Sequence, residues 1–279
     1  MTKIISVDET VNGIREDLKE WSSKFLSVHG RMPSLVSIII GDSKEADVYA
    51  QSKVRSGRRI GVEVTVRNID PDLGQKKIED EIRKLSDDSR IDGIILENPV
   101  PKELNYISLL SCISPLKDVD CMTPYNQGLI SMKSQIVLPA TAAAVDQILK
   151  ENFPDVRDVA IINRSVVVGK PLSMILLNRD CTVTVCHSKT RDLRKKCASA
   201  EAVVVAVGHE NFLTRDYVTD NSVVIDVGIN STQNGIKGDA DFDSLNGFVR
   251  AITPVPGGVG KLTSIKIFQN LKLLMDRSA

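Results

Sequence analysis

Residues 159–171 read VAIINRSVVVGKP and join an apolar strand, a polar turn and the start of a helix. Dinucleotide-binding folds place their phosphate turn in such a strand–turn–helix unit. As a motif the stretch is weak, because only Gly169 matches a glycine of the Gly-x-Gly-x-x-Gly fingerprint. Its context is more informative, since the N–H groups of a helix that begins near Gly169 can face a pyrophosphate. The stretch therefore predicts the nucleotide-binding edge of a parallel sheet.

Apolar runs typical of strands alternate with helical patterns on both sides of this stretch. The predicted strands are 35–40, 62–66, 91–96, 159–162, 182–185, 202–207 and 222–227. The predicted helices are 8–29, 44–60, 74–86, 102–113, 141–152, 170–178, 190–198 and 262–275. This alternation predicts parallel sheets, and solidly apolar strands are typical of sheets that helices cover on both faces.

The elements form two series, separated by residues 115–140, a stretch of mixed polarity that contains three prolines. A chain of 279 residues is long enough for two cores. We therefore expect an α/β protein of two domains with a cleft between them. The N-terminal domain is predicted to be a βαβ domain and the C-terminal one a Rossmann-like parallel-sheet domain. A cleft of this kind is the usual place for a ligand.

The composition argues against several classes of function. Basic and acidic residues number 36 each, so the formal net charge is zero and no nucleic-acid-binding surface is expected. No apolar run approaches the roughly 20 residues of a membrane span, and the N-terminus does not resemble a signal peptide. The five cysteines are scattered and the three histidines lack ligand spacing, so no metal site is expected. We expect a metal-free cytoplasmic protein.

The segment after the second predicted strand of the C-terminal domain indicates the cofactor. Residues 186–191 read CHSKTR and contain no acid where NAD-binding proteins usually hold the ribose 2′-OH. Basic residues and a hydroxyl, with Arg164 in the preceding turn, favour a 2′-phosphate and hence NADP. Two further strands end at Gly208 and Gly228, and glycine at successive strand ends suits the close passage of a cofactor.

Candidate reactive groups lie in the N-terminal half. Tyr49 and Lys53 stand one helical turn apart, although Tyr-x-x-x-Lys also arises readily by chance. Residues 97–101, ENPVP, follow a predicted strand, and residues 115–120, PLKDVD, form a loop with two aspartates. Near the C-terminus, residues 253–260, TPVPGGVG, place glycines before the last helix, where main-chain N–H groups can approach a flat or anionic ligand. Each segment alone also has a structural interpretation, as a strand terminator, a solvated loop or a stiff turn.

Taken in order, these segments resemble the methylenetetrahydrofolate dehydrogenase/cyclohydrolase family. The family pattern contains Tyr-x-x-x-Lys, Gly-Ile-Leu-Val-Gln-Leu-Pro-Leu-Pro, Lys-Asp-Val-Asp-Gly, Gly-Arg-Ser-x-x-Val-Gly-x-Pro and Pro-Gly-Gly-Val-Gly-Pro-Met-Thr. This chain matches it at Tyr49 and Lys53, 97–101, 117–121, 163–171 and 256–263. The resemblance covers essentially the whole chain.

The resemblance implies two reactions on folate. With NADP, 5,10-methylenetetrahydrofolate is oxidised to 5,10-methenyltetrahydrofolate, which is then hydrolysed to 10-formyltetrahydrofolate. The resemblance also implies a homodimer. It assigns residues 1–139 plus 262–279 to a catalytic, folate-binding domain and residues 140–261 to the NADP-binding domain.

Carried over by position, the resemblance gives each candidate residue a role. The catalytic residues are Lys53, Tyr49 and Glu97. The substrate-binding residues are Tyr49, Asp120, Gly257 and Gly258. The cofactor-binding residues follow four predicted strands and are Asn163, Arg164, Ser165, Ser188, Gly208 and Ile229.

Glu97 is the main departure from the family pattern, which has glutamine at this position. A carboxylate beside Lys53 favours the ammonium form, and a permanently charged lysine is a poorer base that can still orient substrate. We expect dehydrogenation to persist while hydrolysis is weakened or shifted in its pH optimum. Cys121 and Asn163 replace glycines, which requires conformations that an L-residue can adopt.

Two other functions are alternatives. A related two-domain dehydrogenase, of the shikimate or amino-acid kind, would act on another small substrate, but the Pro-Gly-Gly-Val-Gly run argues against it. A non-catalytic folate- or nucleotide-binding protein would result if Glu97 silenced the site. The presence of Tyr49, Lys53 and Asp120 together argues against this second alternative.

Overall fold

The computed structural model describes residues 1–232 and 235–278. The strands are β1 (Lys3–Ile4), β2 (Ser34–Ile40), β3 (Glu63–Ile69), β4 (Gly93–Leu96), β5 (Asp158–Ile162), β6 (Thr182–Cys186), β7 (Ala202–Val205), β8 (Val223–Asp226), β9 (Asn230–Thr232), β10 (Gly235–Lys237) and β11 (Ala251–Ile252). The helices are α1 (Asp8–His29), α2 (Lys44–Ile60), α3 (Gln75–Asp87), α4 (Tyr106–Leu110), α5 (Pro124–Ser131), α6 (Ala140–Asn152), α7 (Gly169–Leu177), α8 (Leu193–Ala198), α9 (Phe242–Leu245) and α10 (Val259–Ser278).

The chain folds into two compact units, each built on its own parallel sheet. The three-stranded unit comprises Asn12–Leu138 and Ile267–Ala279, and the six-stranded unit comprises Met1–Val11 and Pro139–Lys266. The six-stranded unit thus includes the first eleven residues, which the predicted division assigned to the other domain. The reason is β1, which pairs in parallel with β11. Strands of two residues are too short to show an apolar pattern in a sequence.

The three-stranded sheet has the order β3-β2-β4, and both pairings are parallel. Its central strand β2 is buried from Leu35 to Ile40. Ile38 of β2 pairs with Leu96, the last residue of β4. The carboxyl ends of these two strands therefore share one edge of the sheet, and the residues that follow β4 begin there.

Helix α2 begins and ends with clear capping signals. Ser43 accepts a hydrogen bond from the Ala46 N–H at the start, and Gly61 adopts a left-handed φ of 72° at the end. The helix packs closely on β3, since a Cβ at Gly57 would lie 2.5 Å from Val64 Cγ2. Because Lys53 lies one turn before Gly57 on the same helix, this close packing fixes its position relative to the three-stranded sheet.

The six-stranded sheet has the order β1-β11-β8-β7-β5-β6 with parallel pairings throughout. The chain passes from β5 to β6 on one side and then to β7 on the other side of β5. A topological switch point therefore lies between β5 and β7, and ligands of open α/β sheets bind at the carboxyl edge of such a point. The predicted phosphate turn follows β5 at this edge.

Most predicted elements are present with boundaries shifted by a few residues, but the helix predicted for 102–113 is much shorter. It is α4, Tyr106–Leu110, which begins where Asn105 accepts a hydrogen bond from the Ser108 N–H. Before it, the Leu104 N–H donates to the Pro101 carbonyl in a turn. Helix α5 lies within residues 115–140, where the prediction had only a boundary. Among the described residues, no helix is long and apolar enough to span a membrane.

Candidate active site

Lys53 and Glu97 form a buried ion pair in the three-stranded unit. Lys53 lies on α2, and Glu97 directly follows β4. The Lys53 Nζ is 2.9 Å from Glu97 Oε1 and 3.0 Å from Glu97 Oε2. Only 14% of the lysine side chain and 5% of the glutamate side chain are exposed. This is the geometry of an ammonium held by both oxygens of a carboxylate.

Ser37 of β2 also binds the Glu97 carboxylate. Its hydroxyl donates to Glu97 Oε1 at 2.5 Å, and Ser37 is fully buried. The Glu97 N–H donates to the Ile38 carbonyl at 2.8 Å, so the residue is fixed through its main chain as well. Ser37 was not predicted as a site residue, because its only signal in the sequence is a polar residue within an otherwise apolar strand. The Lys53 ammonium is positioned by a carboxylate that has little freedom to move.

Tyr49 lies one turn before Lys53 on α2. The Lys53 Nζ is 6.0 Å from the centroid of the Tyr49 ring. Burial, and to a smaller extent the carboxylates of Glu45 and Glu97, raise the pKa of the Tyr49 phenol. The phenol therefore stays protonated at neutral pH. With 38% of the residue exposed, the ring offers a flat surface beside the ammonium.

The two aspartates of the loop before α5 differ in their surroundings. Asp118 is buried and accepts hydrogen bonds from the Met122 N–H at 2.9 Å and the Thr123 N–H at 2.8 Å. It therefore shapes the turn into α5. Asp120 is half-buried, and its charge contributes to a raised pKa of Tyr106. Of the two, Asp120 is the carboxylate with accessible surface.

Tyr106 is a further residue of this region that sequence analysis missed. Its hydroxyl accepts a hydrogen bond of 3.0 Å from Asn98 Nδ2. Burial is the main cause that raises the pKa of Tyr106; the bond from Asn98 lowers it, and the carboxylates of Asp120, Asp118 and Glu97 raise it further. The phenol thus lies within electrostatic reach of both Glu97 and Asp120. Tyr106 belongs to no motif, so its sequence carries no signal of this placement.

Cys121 stands where the family pattern has glycine, and its backbone shows why. Its φ is 56°, in the left-handed region that glycine adopts most easily and other L-residues adopt at a small cost. The buried thiol donates to the Val137 carbonyl at 3.3 Å. The substitution is therefore accommodated inside the loop that carries Asp120.

Asn163 organises the turn after β5 in the six-stranded unit. Its Oδ1 accepts from the N–H groups of Ser165 at 2.8 Å and Gly169 at 2.9 Å. Its Nδ2 donates to the Ala206 carbonyl at 2.6 Å, which joins this turn to the end of β7. A Cβ at Gly169 would lie 2.1 Å from the Asn163 carbonyl oxygen, so α7 can begin here only with glycine. Arg164 and Ser165 lie exposed on the same turn.

The turn after β6 carries the remaining polar candidates. The His187 N–H donates to Thr190 Oγ1 at 2.8 Å, and the Lys189 N–H donates to His187 Nδ1 at 3.1 Å. Ser188, Lys189 and Arg191 are exposed. Hydroxyl and basic groups without a carboxylate suit a phosphate, and the N-terminus of α7 at the switch point suits a pyrophosphate. The residues present at this edge therefore fit NADP.

The other glycine turns of the six-stranded unit are open in part. Gly208 follows β7 with a φ of 71° and is exposed. Ile229 follows β8, with 47% of its surface exposed. Gly257 is exposed with a φ of 112°, whereas Gly258 is buried and a Cβ there would lie 2.6 Å from the Pro254 carbonyl oxygen. Both positions of the 253–260 turn therefore require glycine, for different reasons.

Comparison with known proteins decides the family. The sequence model of the tetrahydrofolate dehydrogenase/cyclohydrolase catalytic domain matches residues 5–120, and that of the NAD(P)-binding domain matches residues 139–279. The chain belongs to the tetrahydrofolate dehydrogenase/cyclohydrolase family. The bifunctional protein FolD of Thermoplasma volcanium is 44% identical to it over 269 residues, which cover 96% of this chain and 94% of that protein.

Solved structures of family members superpose on the chain over nearly its whole length. The crystal structure of the bifunctional 5,10-methylenetetrahydrofolate dehydrogenase/cyclohydrolase from Thermoplasma acidophilum gives a TM-score of 0.89 at 44% identity and covers 99% of this chain and 98% of that chain. The Trypanosoma brucei enzyme, crystallised with NADP cofactor and inhibitor, gives a TM-score of 0.92 at 28% identity with the same two coverages.

Family membership confirms the predicted resemblance, the α/β class and the division into a catalytic and an NAD(P)-binding part. The chain is a methylenetetrahydrofolate dehydrogenase and methenyltetrahydrofolate cyclohydrolase of one-carbon metabolism, and NADP is its cofactor. Neither alternative, a dehydrogenase of another substrate or a non-catalytic binding protein, is supported.

Proposed function

We propose that Lys53, held by Glu97, is the group on which both reactions depend. In the first reaction a hydride leaves the one-carbon bridge of 5,10-methylenetetrahydrofolate for the nicotinamide ring of NADP. In the second, water adds to the methenyl carbon, the ring opens to 10-formyltetrahydrofolate and one proton is released. The observation that carries this proposal is the ammonium of Lys53, bound by both oxygens of a carboxylate that is only 5% exposed.

The first reaction needs mainly orientation, and a fixed ammonium provides it. NADP, when bound, would supply the hydride acceptor, so the chain's own residues have to place the folate and exclude water. Tyr49 packs against the folate ring through its exposed face, and Asp120 accepts hydrogen bonds from the amino edge of the pterin. Gly257 and Gly258 line the substrate site, where side chains would prevent close approach.

The second reaction also needs a proton transfer, and Glu97 makes this transfer slower. The water that attacks must lose a proton, and Lys53, whose Nζ is bound by both oxygens of Glu97, is poorly placed to accept it. Since both oxygens of Glu97 contact Lys53 and one also accepts from Ser37, the carboxylate is not free to act as the base instead. Hydrolysis is therefore slower, relative to dehydrogenation, than it would be with the neutral glutamine of the family pattern.

Cofactor binding is assigned to the carboxyl edge of the six-stranded sheet. The exposed side chains of Arg164, Ser165 and Ser188 hold the phosphates of NADP, and Asn163 fixes the turn that presents two of them. Gly208 and Ile229 line the path of the cofactor at the ends of β7 and β8. The catalytic and folate-binding function belongs to residues 1–139 plus 262–279, and NADP binding to residues 140–261. The enzyme acts in the cytoplasm as a homodimer, without nucleic-acid or membrane partners.

The test replaces Lys53 by methionine or arginine and measures both activities and NADP affinity. Lys53→Met should lower hydrolysis at least ~100-fold, the usual contribution of a positioned proton-transfer group. Dehydrogenation should fall as well. The Kd for NADP should stay within about twofold, because the residues proposed to bind the cofactor belong to the six-stranded unit. Lys53→Arg keeps the charge and should retain more dehydrogenation than hydrolysis.

Because Lys53→Met leaves Glu97 buried without its partner, the protein can lose stability. The double variant Lys53→Met/Glu97→Gln removes both charges together and serves as the folded control. Hydrolysis within threefold of the wild type in this double variant would contradict the role of Lys53.

A further inference from the structure

Asp239 is a fully buried carboxylate behind the carboxyl edge of the six-stranded sheet. Its Oδ2 accepts from the Val207 N–H at 2.5 Å and the Gly208 N–H at 2.9 Å. Its Oδ1 accepts from Asn230 Nδ2 at 2.8 Å. Val207 and Gly208 follow β7, and Asn230 begins β9 directly after the turn that leaves β8. One side chain thus binds two separate strand-end turns.

Asp226, the last residue of β8, holds Asp239 in place. Its Oδ1 accepts from the Asp239 N–H at 3.0 Å and from the Gly228 N–H at 2.9 Å. Its Oδ2 accepts from the Ala240 N–H at 2.8 Å. The segment that carries Asp239 is therefore anchored to the end of the strand whose turn it stabilises.

Two glycines make room for these carboxylates. A Cβ at Gly228 would lie 2.2 Å from Asp239 Cγ, and a Cβ at Gly238 would lie 1.9 Å from Asp226 Oδ2. Charged groups are costly to bury, and here each is satisfied by several N–H donors. Such a network specifies the path of the main chain more strictly than apolar packing would.

We propose that Asp239 is a positioning residue for NADP, which sets the spacing between the Gly208 turn and the Ile229 turn. The inference rests on the proposed assignment of Gly208 and Ile229 to the cofactor site. Asp239 is fully buried and acts on the cofactor only through these two turns. Its effect should therefore appear in cofactor affinity, because misplaced turns bind NADP less well even when the fold persists.

The test exchanges the two partners of the Asp239–Asn230 bond. Asn230→Asp places a carboxylate against Asp239 and should raise the Kd for NADP at least tenfold. Asp239→Asn should raise it about threefold to tenfold, since one acceptor becomes a donor. In the double variant Asp239→Asn/Asn230→Asp, the new amide donates to the new carboxylate, and the Kd should return to within about threefold of the wild type. Calorimetric titration with NADP gives all four values.

Rescue by the double variant is the readout that a general loss of stability does not produce. If the Kd of the double variant equals the product of the two single effects, or if Asp239→Asn stays within twofold of the wild type, the inference is wrong. If Asn230→Asp does not fold, the Kd values of Asp239→Asn and of the double variant still test the inference. Asp239→Asn must raise the Kd by more than twofold, and the double variant must return it to within about threefold of the wild type.

Ile229→Ala separates this inference from the assignment on which it rests. Ile229 is 47% exposed, so its truncation leaves the core intact. An unchanged Kd for NADP in Ile229→Ala would show that the Ile229 turn does not contact the cofactor. Both the proposed cofactor site at these turns and the inference about Asp239 would then be wrong. A raised Kd in Ile229→Ala, with the wild-type Kd in the Asp239 and Asn230 variants, would contradict the inference about Asp239 but not the proposed cofactor site.

Discussion

The carboxyl edges of the two sheets use their polar side chains in different ways. At the end of β4 in the three-stranded unit, the charged side chains of Lys53 and Glu97 face each other and are the groups proposed to act on the substrate. At the ends of β5, β7 and β8 in the six-stranded unit, Asn163 and Asp239 turn inward and bind main-chain N–H groups. On the proposed roles, the chemistry depends on a buried side-chain ion pair. Cofactor recognition depends instead on the shape of a main chain held by inward-facing polar side chains.

The largest effect is expected from a methyl group placed behind the carboxyl edge of the six-stranded sheet, where NADP is proposed to bind. Gly228→Ala puts a Cβ where Asp239 lies and should lower the free energy of unfolding by about 1–3 kcal/mol, as overpacking does, and weaken NADP binding. Gly13→Ala in α1 is the matched control, because among the described residues no atom beyond its chain neighbours and its own helix backbone lies within 4 Å of its Cβ position. It should raise the free energy of unfolding by about 0.5–1 kcal/mol, as expected for a helix interior.

Urea unfolding and NADP titration of both variants check this prediction. Equal stability of Gly228→Ala and the wild type would mean that the carboxylate network yields without cost. The claim that inward-facing carboxylates fix the main chain at the carboxyl edge of the six-stranded sheet would then be wrong.

A smaller effect is expected at Asp120, the half-buried carboxylate proposed to bind the folate. Asp120→Asn keeps the shape of the side chain but removes its charge, which should raise the KM for the folate about tenfold. The Kd for NADP should stay as in the wild type, since Asp120 belongs to the three-stranded unit. Asp118→Asn is the contrasting variant, because Asp118 is buried and should affect stability instead. Steady-state kinetics with unchanged KM in Asp120→Asn would contradict the assignment.

These residues also show what the sequence can predict. Long elements such as α1 and β2 are readable because their apolar residues repeat over many positions. The positions of Tyr49, Lys53 and Glu97 follow from ordered motifs, and the structure brings all three together. The roles of these residues remain predictions.

Other features depend on tertiary contacts that leave no local pattern. The strands β1 and β11 have two residues each, and they exist only because they pair with each other and with β8. Ser37, Tyr106 and Asp239 are ordinary polar residues in the sequence. Their importance arises from distant partners, as in the bond between Asp239 and Val207.

A pH dependence of stability is also expected, and it comes from the carboxyl edge of the six-stranded sheet. Burial, with a smaller contribution from Asp239, raises the pKa of Asp226 from 3.8 to about 6, although three main-chain N–H groups act in the opposite direction. Between about pH 4 and pH 6 the folded protein keeps a proton that the unfolded chain has released. The free energy of unfolding contributed by this group therefore falls as the pH rises through this range, by at most about 3 kcal/mol.

Urea unfolding between pH 4 and pH 7 measures this slope. Asp226→Asn cannot ionise and should lack this part of the fall, whereas Asp220→Asn, at an exposed position, should keep it. Identical slopes for the wild type and Asp226→Asn would show that the carboxylate is already ionised throughout the range.

The most direct test of the whole account is the ratio of hydrolysis to dehydrogenation, measured across pH in the wild type and in Glu97→Gln. Because glutamine releases the lysine from its carboxylate, the ratio should rise in the variant and the pH profile of hydrolysis should shift, while dehydrogenation persists in both proteins. Superimposable pH profiles and equal ratios in the two proteins would contradict the claim that Glu97 controls the chemistry of Lys53.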